Sequence, residues 1–551
     1  MTSPQPSSSD VIYTARLIRT ANPSRPTATA IAIRDGRVLA VGTLEECQQW
    51  GITNVDTRFA DKVLTAGFVE AHAHTAAGMF TDIPYVGFFP RMNADGTMST
   101  AVKSTAELID RLKEIDAELP DGEALLVGGF DPIYFESERL TCHHLDEASV
   151  ERPIFVFHAS GHLATVNSAI LRKYDIGPQH PAPGVGFDEG GQPNGELREM
   201  AAMALAKDEV RKVMRAFGPD TFEDFAVVMR NAGITTSADL GSGVSVKDAD
   251  LETAMRKTMS DDFPLRVVSA TRVNGVAPVG TDVASLVLQA QEKSHNKLLF
   301  PVVKLVLDGS IQGFTATVDW PGYITGEAHP LFLVPPEQVI DILRPFHMAR
   351  IGIHCHCNGN QASEVFINAI EQLLTEFSWL DHRHTITHAQ LITHAQLRKA
   401  KSLNMCANFF VNHMWFWGDQ HHDITVGPDR AHGLNPCGTA DRIGLSYSFH
   451  CDAPVTPPSH MHTMWAAVNR VSPSGRVLGE NERISVDRAF HGATIDAAYQ
   501  LHLDHLIGSL EVGKLADITV LEDDPYTVAP EAIRDIKVWG TVVGGIIHQN
   551  P

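Results

Sequence analysis

The chain has 551 residues, 44% of them hydrophobic and 20% charged, with a formal charge of −22 from 66 acidic against 44 basic side chains. That length exceeds what one hydrophobic core serves, so a large domain with at least one satellite is expected, and the composition argues against extended disorder. So acidic a chain repels nucleic acid and anionic membrane surfaces, which leaves a small molecule as the expected partner.

Seven cysteines, an odd number scattered along the chain, make no disulfide framework and fit a reducing compartment. The opening "MTSPQPSSSD" has no charged start followed by an apolar stretch, and no apolar run reaches the ~18 residues that a membrane span requires. A cytoplasmic protein is the expectation.

In chain order, residues 1–9 read as disordered. Alternating stretches follow, "VIYTARLIRT", "ATAIAIRDGRVLAVG" and "NVDTRFADKVLT", separated by turn residues in the manner of a small antiparallel sheet. The same texture returns at the far end in "GSLEVGKLADITVLEDD" and "IRDIKVWGTVVGGIIHQ". Between the ends, strand patterns fall at 63–74, 233–240, 264–273, 300–309, 350–359, 384–391, 404–411 and 445–454, with helical patterns such as "PEQVIDILRPFHMA" among them. Eight strands with intervening helices predict an α/β fold built on a (β/α)8 TIM-like barrel. The gap 75–232 is too long for a loop and holds its own strands, "EALLVGG" and "PIFVFHAS", so it reads as an insertion over the barrel mouth. The expected organisation is a barrel over 63–486 and a composite β-sandwich from 10–62 and 487–551, a pairing of the ends that rests partly on the resemblance below. The short apolar edges of that terminal sheet are where a homodimer would form.

The stretch "RIGIHCHCNGNQA", 350–362, places two histidines and two cysteines in four consecutive positions. Side chains alternate along a strand, so His354 and His356 face one way and Cys355 and Cys357 the other, and no single ion is offered all four. A zinc knuckle also wants C-x-x-C with a matching downstream pair, and the chain has neither. A buried strand with hydrogen-bonded histidines competes with a ligand-bearing strand until other ligands are found.

Barrel chemistry collects at the C-terminal ends of the strands, and chemistry-bearing residues gather there. His72 and His74 close the first strand, Lys304 lies in the fourth, His356 in the fifth, His388 in the sixth and Asp452 in the eighth. Imidazoles and a carboxylate suit a divalent metal such as zinc. Flanked by "VVKLVL", Lys304 would be desolvated, and its neutral amine could take up carbon dioxide to form a carbamate whose two oxygens bridge two metals. An internal ion pair of Lys304 with Asp308 is the alternative.

These segments resemble the amidohydrolase superfamily, in particular the large-insertion branch that includes N-substituted formamide deformylases. "LTAGFVEAHAH" is similar to the family's first-strand signature, with Ala66 where Pro is usual and Glu70 where Asp is usual. "VVKLVLDGSIQGFTA" resembles its Lys segment, and "HCHCNGNQASEVFINAIE" its His-x-x-Gly-Asp-x-Ala pattern, with Asn360 in place of Asp. "RHTITHAQL", "FHCDAPVTPP" and "GSLEVGKLADITVL" resemble the sixth-strand His, the eighth-strand Asp and the terminal sheet.

The resemblance implies that His72, His74 and Asp452 hold one metal, that His356 and His388 hold the other, that carboxylated Lys304 bridges them, and that Asp452 carries the proton. It implies one or two divalent ions per chain, zinc by chemistry, and hydrolysis of a carbon–nitrogen bond in a small amide or formamide. Candidate substrate contacts are His162 and Asn167 in "ASGHLATVNSAIL", Asp239 in "DLGSG", and Trp415 and Trp417 in "NHMWFWGDQHH". His413, His421 and His422 read as surface residues. A mononuclear deaminase on the same barrel would carry a Glu three residues after His356, where Gly359 stands, and a non-catalytic scaffold would have lost ligands. The alternation yields a direct expectation: Cys355→Ser and Cys357→Ser leave the metal content, read by elemental analysis, unchanged, and a loss of metal would restore the knuckle.

Overall fold

Strands of parallel register form the centre of the protein in the computed structural model, which describes residues 10–135, 139–241, 244, 247–274, 281–326 and 331–551. The expected disorder of residues 1–9 lies outside the described residues. Strands β1 (Phe68–Ala73), β2 (Ile234–Leu240), β3 (Arg266–Arg272), β4 (Val302–Val306), β5 (Gly352–Cys357), β6 (Thr385–His388), β7 (Cys406–Phe409) and β8 (Tyr447–Phe449) follow one another in space in chain order, each parallel to the next. Just past β8 the ring is drawn shut: Asp452 N–H donates to His72 O at 3.0 Å and His74 N–H to Ala453 O at 2.8 Å. The expected α/β barrel is therefore the observed fold.

The pattern at 63–74 proves to be two strands. Val63–Ala66 leaves the barrel to pair with Val11–Arg19 and Ile518–Leu521, and β1 begins after Gly67. A Cβ at Gly67 would stand 2.2 Å from Thr235 Oγ1, so the break needs glycine. The β-sandwich expected from the two ends takes the form of one continuous sheet. Its order runs Ile546–Gln549, Val538–Val543, Ile518–Leu521, Val63–Ala66, Val11–Arg19, Thr27–Arg34, Arg37–Gly42, with Val55–Asp56 also on Val11–Arg19.

The segment between β1 and β2 builds a five-stranded sheet in the order Val185–Phe187, Pro193–Arg198, Leu163–Val166, Ile154–His158, Leu125–Phe130. It reaches the C-terminal end of the barrel, where Arg91 Nη1 donates to Pro454 O and Trp417 Nε1 donates to Asp131 Oδ2, both at 2.8 Å.

Along β5 the alternation holds. Cys355 and Cys357 are fully buried in the main core with Ile353, Phe366 and Ile370. The helix Asn360–Glu376 supplies that packing through Phe366, Ile367, Ile370 and Leu373 at helical spacing. It starts at Gly359, where a Cβ would meet Thr317 O at 2.0 Å. On the opposite face of β5, His354 Nε2 donates to Gln500 O at 3.2 Å. No helix among the described residues is long and apolar enough to cross a membrane.

Barrel and terminal sheet are locked by a buried, bidentate ion pair: Arg266 Nε and Nη2 donate to Asp517 Oδ2 and Oδ1 at 2.6 and 2.9 Å, with both side chains 3% exposed. Removing one partner strands the other charge in the interior, at a cost of about 3–5 kcal/mol. Asp517→Ala is expected to lower the denaturation midpoint accordingly. The double replacement Arg266→Met with Asp517→Leu should lose less than Asp517→Ala alone; an equal or larger loss in the double variant would count against this account.

Candidate metal centre

The closing seam of the barrel brings the candidate ligands together. Asp452 Oδ1 lies 3.0 Å from His72 Nε2 and 3.3 Å from His74 Nε2, while Asp452 Oδ2 lies 3.8 Å from His388 Nδ1. Ring centroids of His356 and His388 are 4.2 Å apart, and those of His72 and His388 are 4.8 Å apart. Lys304 Nζ reaches His72 Nδ1 at 3.1 Å. Five of the six expected ligand residues thus meet at the C-terminal ends of β1, β5 and β6 and just past β8, and Lys304 reaches them from the middle of β4.

The donor chemistry fits a divalent cation. Ligand atoms of His72, His388 and Asp452 lie within 4.8 Å of one another. Both ring nitrogens of His388 are buried without a hydrogen-bond partner, a costly state unless something electropositive sits beside them. His356 Nε2 is held between Gly309 O at 3.2 Å, which accepts, and the Asn358 side-chain amide nitrogen at 3.0 Å, which donates, and these two contacts fix the plane of the ring. Asp308, an unforeseen contributor, lies 3.6 Å from the same Nε2 and is held by the backbone N–H groups of Thr317, Asn358 and Gly359.

Burial sets the protonation states. Desolvation, reinforced by Lys304, holds His72 and His356 well below the ordinary imidazole range, and burial together with His356 does the same for His388. These rings are neutral and able to ligate. Burial pushes Asp452 upward, but the rings of His72, His74 and His388 outweigh it and leave the carboxyl well below its usual range, ionised. Desolvation brings Lys304 down to about 7. Among the described residues no carboxylate pairs with Lys304, and Asp308 is turned instead to His356 and the backbone. Two of the positions are strained: His388 has φ 70° and Asp452 φ 52°, left-handed values that non-glycine residues adopt at a cost of about 1–3 kcal/mol.

The expected substrate contacts divide. Asp239 ends β2 with Oδ1 3.9 Å from His74 Nδ1. His162, on the insertion, stands 6.1 Å from His356 between ring centroids, and its Nδ1 is 2.9 Å from Glu199 Oε2. Asn167 corrects its expectation: it is fully buried, caps the helix Ser168–Lys173, and gives its amide to Ser149 O and Arg152 O, so its polar groups serve the insertion's own backbone. Trp415 is corrected too, since it packs on Trp465 under Arg534, away from the ligand cluster. Trp417 is 2% exposed and ties the mouth loop to Asp131 rather than presenting an open wall. His413 and His421 are buried, not superficial, and their rings pair at 2.9 Å. His450 was missed; fully buried, it lies 4.9 Å from the rings of both His72 and His388, and its place two residues before Asp452 in "FHCDAP" was the available signal.

Comparison with known proteins places this geometry. The sequence model described as the amidohydrolase family matches residues 60–548. The N-substituted formamide deformylase of Arthrobacter pascens is 24% identical over 552 residues, covering 96% of each chain. The protein LONG AFTER FAR-RED 3 of Arabidopsis thaliana is 24% identical over 572 residues, covering 97% of this chain and 91% of that one. An uncharacterised metal-dependent hydrolase from Pyrococcus horikoshii shares the fold with a TM-score of 0.70 at 20% identity, over 95% of this chain and 99% of that one. With a family match across most of its length and a buried cluster of metal-ligating side chains at the barrel mouth, the chain belongs to the amidohydrolase family and is a metal-dependent hydrolase.

Proposed function

We propose that the chain cleaves the carbon–nitrogen bond of a small amide, with N-substituted formamides as the first class to screen. The observation that carries this reading is the pair of orphaned His388 ring nitrogens, buried within reach of His72 and Asp452. In this reading His72, His74 and Asp452 would hold one divalent ion, His356 and His388 would hold a second, and Lys304, carboxylated on Nζ, would supply a further oxygen ligand. Bound there, zinc or a similar ion supplies an activated water and polarises the substrate carbonyl. Lys304 suits the ligand role by its place: it is 1% exposed, in the middle of β4, beside His72 and without a carboxylate partner among the described residues.

The chain's own groups do the rest. Asp452 accepts a proton on Oδ2 from the attacking water and delivers it to the departing nitrogen, giving a carboxylate and an amine. Its Oδ1, facing His72 and His74, keeps the carboxyl oriented during the transfer. His162, braced by Glu199 above His356, is placed to donate to the substrate's acyl oxygen or leaving nitrogen. A cavity of about 270 Å³ between the insertion and the loop after β4 has a mixed lining, with Ile133, Phe135 and Phe314 beside Asp131, Arg139 and His158, and offers room for an N-substituent that carries both apolar and polar groups. The likeness to a formamide deformylase supports the substrate class.

Loss of an outer partner of a metal ligand costs 10–100-fold, so loss of a ligand itself should cost more than about 100-fold. His388→Ala is therefore expected to lose metal and more than that factor in kcat against a panel of N-alkyl and N-aryl formamides. Asp452→Asn should lose a similar factor while keeping its circular dichroism, and Lys304→Ala should release metal. Hydrolysis retained in both His388→Ala and Asp452→Asn would sink the mechanism. Ammonia release from an amino-substituted ring, with the amides inert, would replace it by the deaminase.

A further inference from the structure

Behind the closing seam of the barrel, a second group of ligating side chains closes on itself. Glu70 sits on β1 two residues before His72, Cys451 immediately precedes Asp452, and His460 opens the helix His460–Asn469. One ligand atom from each lies within 4.8 Å of the other two, and all three residues are fully buried.

Their bonding is incomplete in a way that points to a cation. Glu70 Oε1 accepts the amides of His72 and Cys451 at 3.0 and 3.2 Å, and Oε2 accepts the Cys451 amide at 3.0 Å. Oε2 also faces His460 Nε2, but at 3.7 Å, too far for a hydrogen bond. The His460 ring leans on the Val69 backbone, yet neither of its nitrogens makes a hydrogen bond of good geometry. The Cys451 sulfur touches Ser459 N and Thr463 Oγ1, each at 3.4 Å, and forms no disulfide. Among the described residues no lysine or arginine pairs with Glu70. A carboxylate, a thiol and an imidazole are together a ligand set for zinc, and a carboxylate with a thiolate would balance a divalent ion in a site that water does not reach.

We propose that Glu70, Cys451 and His460 bind an additional structural ion of the zinc class, separate from the centre at the barrel mouth. Binding takes the Cys451 thiol to the thiolate and releases its proton to solvent. Thr463 Oγ1 is the polar group at hand for a fourth contact. Such an ion would tie β1, the segment after β8 and the helix His460–Asn469 together immediately behind His72 and Asp452. The inference is independent of the substrate and of the reaction.

The mouth centre offers nitrogen and oxygen only, so a thiolate signature reads the deeper site alone. Protein produced in cobalt-supplemented medium, which fills a buried site during folding, is expected to show a near-ultraviolet thiolate-to-cobalt charge-transfer band. The band should persist in His388→Ala, and in Cys451→Ser it should vanish with one metal equivalent per chain. A band that survives Cys451→Ser overturns the proposal. For the case where that variant does not fold, X-ray absorption at the zinc edge on the unmodified protein decides: a sulfur scatterer near ~2.3 Å is expected, and nitrogen and oxygen scatterers alone overturn the site.

Discussion

The hydrogen bonds that join β1 to the segment after β8 carry both the fold and the site. Asp452 N–H to His72 O and His74 N–H to Ala453 O close the barrel with the backbones of the same residues whose side chains converge at its mouth. Closure and ligand placement are one event, because the barrel cannot open at this seam without separating His72 and His74 from Asp452. Glu70 extends the seam downward by accepting amides from both segments, a buried role that pushes its carboxyl up to about 8 through desolvation that its amide bonds only partly offset. A barrel held here by polar contacts rather than by apolar packing alone is stiff where ligand distances must be kept within fractions of an ångström.

Strain is concentrated at the same level. His388, Ala389 and Asp452 all have positive φ, and none is glycine. Left-handed conformations at strand ends turn the chain out of the sheet sooner than an extended residue would, which swings the His388 and Asp452 side chains over the barrel axis. The cost of about 1–3 kcal/mol at each is offset by the main core, in which the flanking residues Ile386, Ala389, Phe449 and Ala453 are fully buried. Such a site is over-determined by its surroundings, and that suits rings that gain little from one another.

Much of this was legible in the sequence for a simple reason: barrel ligands sit at strand ends, and strand ends are marked by apolar runs that stop. His72, His74, His356, His388 and Asp452 could be placed because each follows or ends such a run, and Lys304 because a lone cation stands inside one. Alternation was enough to separate Cys355 and Cys357 from His354 and His356, while the choice of His356 as the residue of the mouth came from the family resemblance. What failed is what depends on loops. Trp415 and Trp417 looked like a wall of the mouth because aromatics in a loop bury area wherever they fall, and only tertiary packing reveals Trp465, Arg534 and Asp131 as their partners. Asn167 looked like a contact because a helix cap and a substrate ligand use the same residue type. The break at Gly67 was hidden because the strands on either side of it are both apolar, so periodicity gave no sign that they belong to different sheets.

The graded exposure of the centre gives the direction from which substrate arrives. His72 and His388 side chains are 2% exposed, whereas His74 is 23% and His162 19% exposed. The exposed pair therefore marks the side facing the insertion, and His162 belongs to the insertion itself. A small molecule entering there meets a residue of the insertion before it meets the deep rings. The barrel fixes the ligands while the segment between β1 and β2 shapes the approach, so differences in substrate among proteins that share this barrel can arise in the insertion without disturbing the seam that holds the ligands.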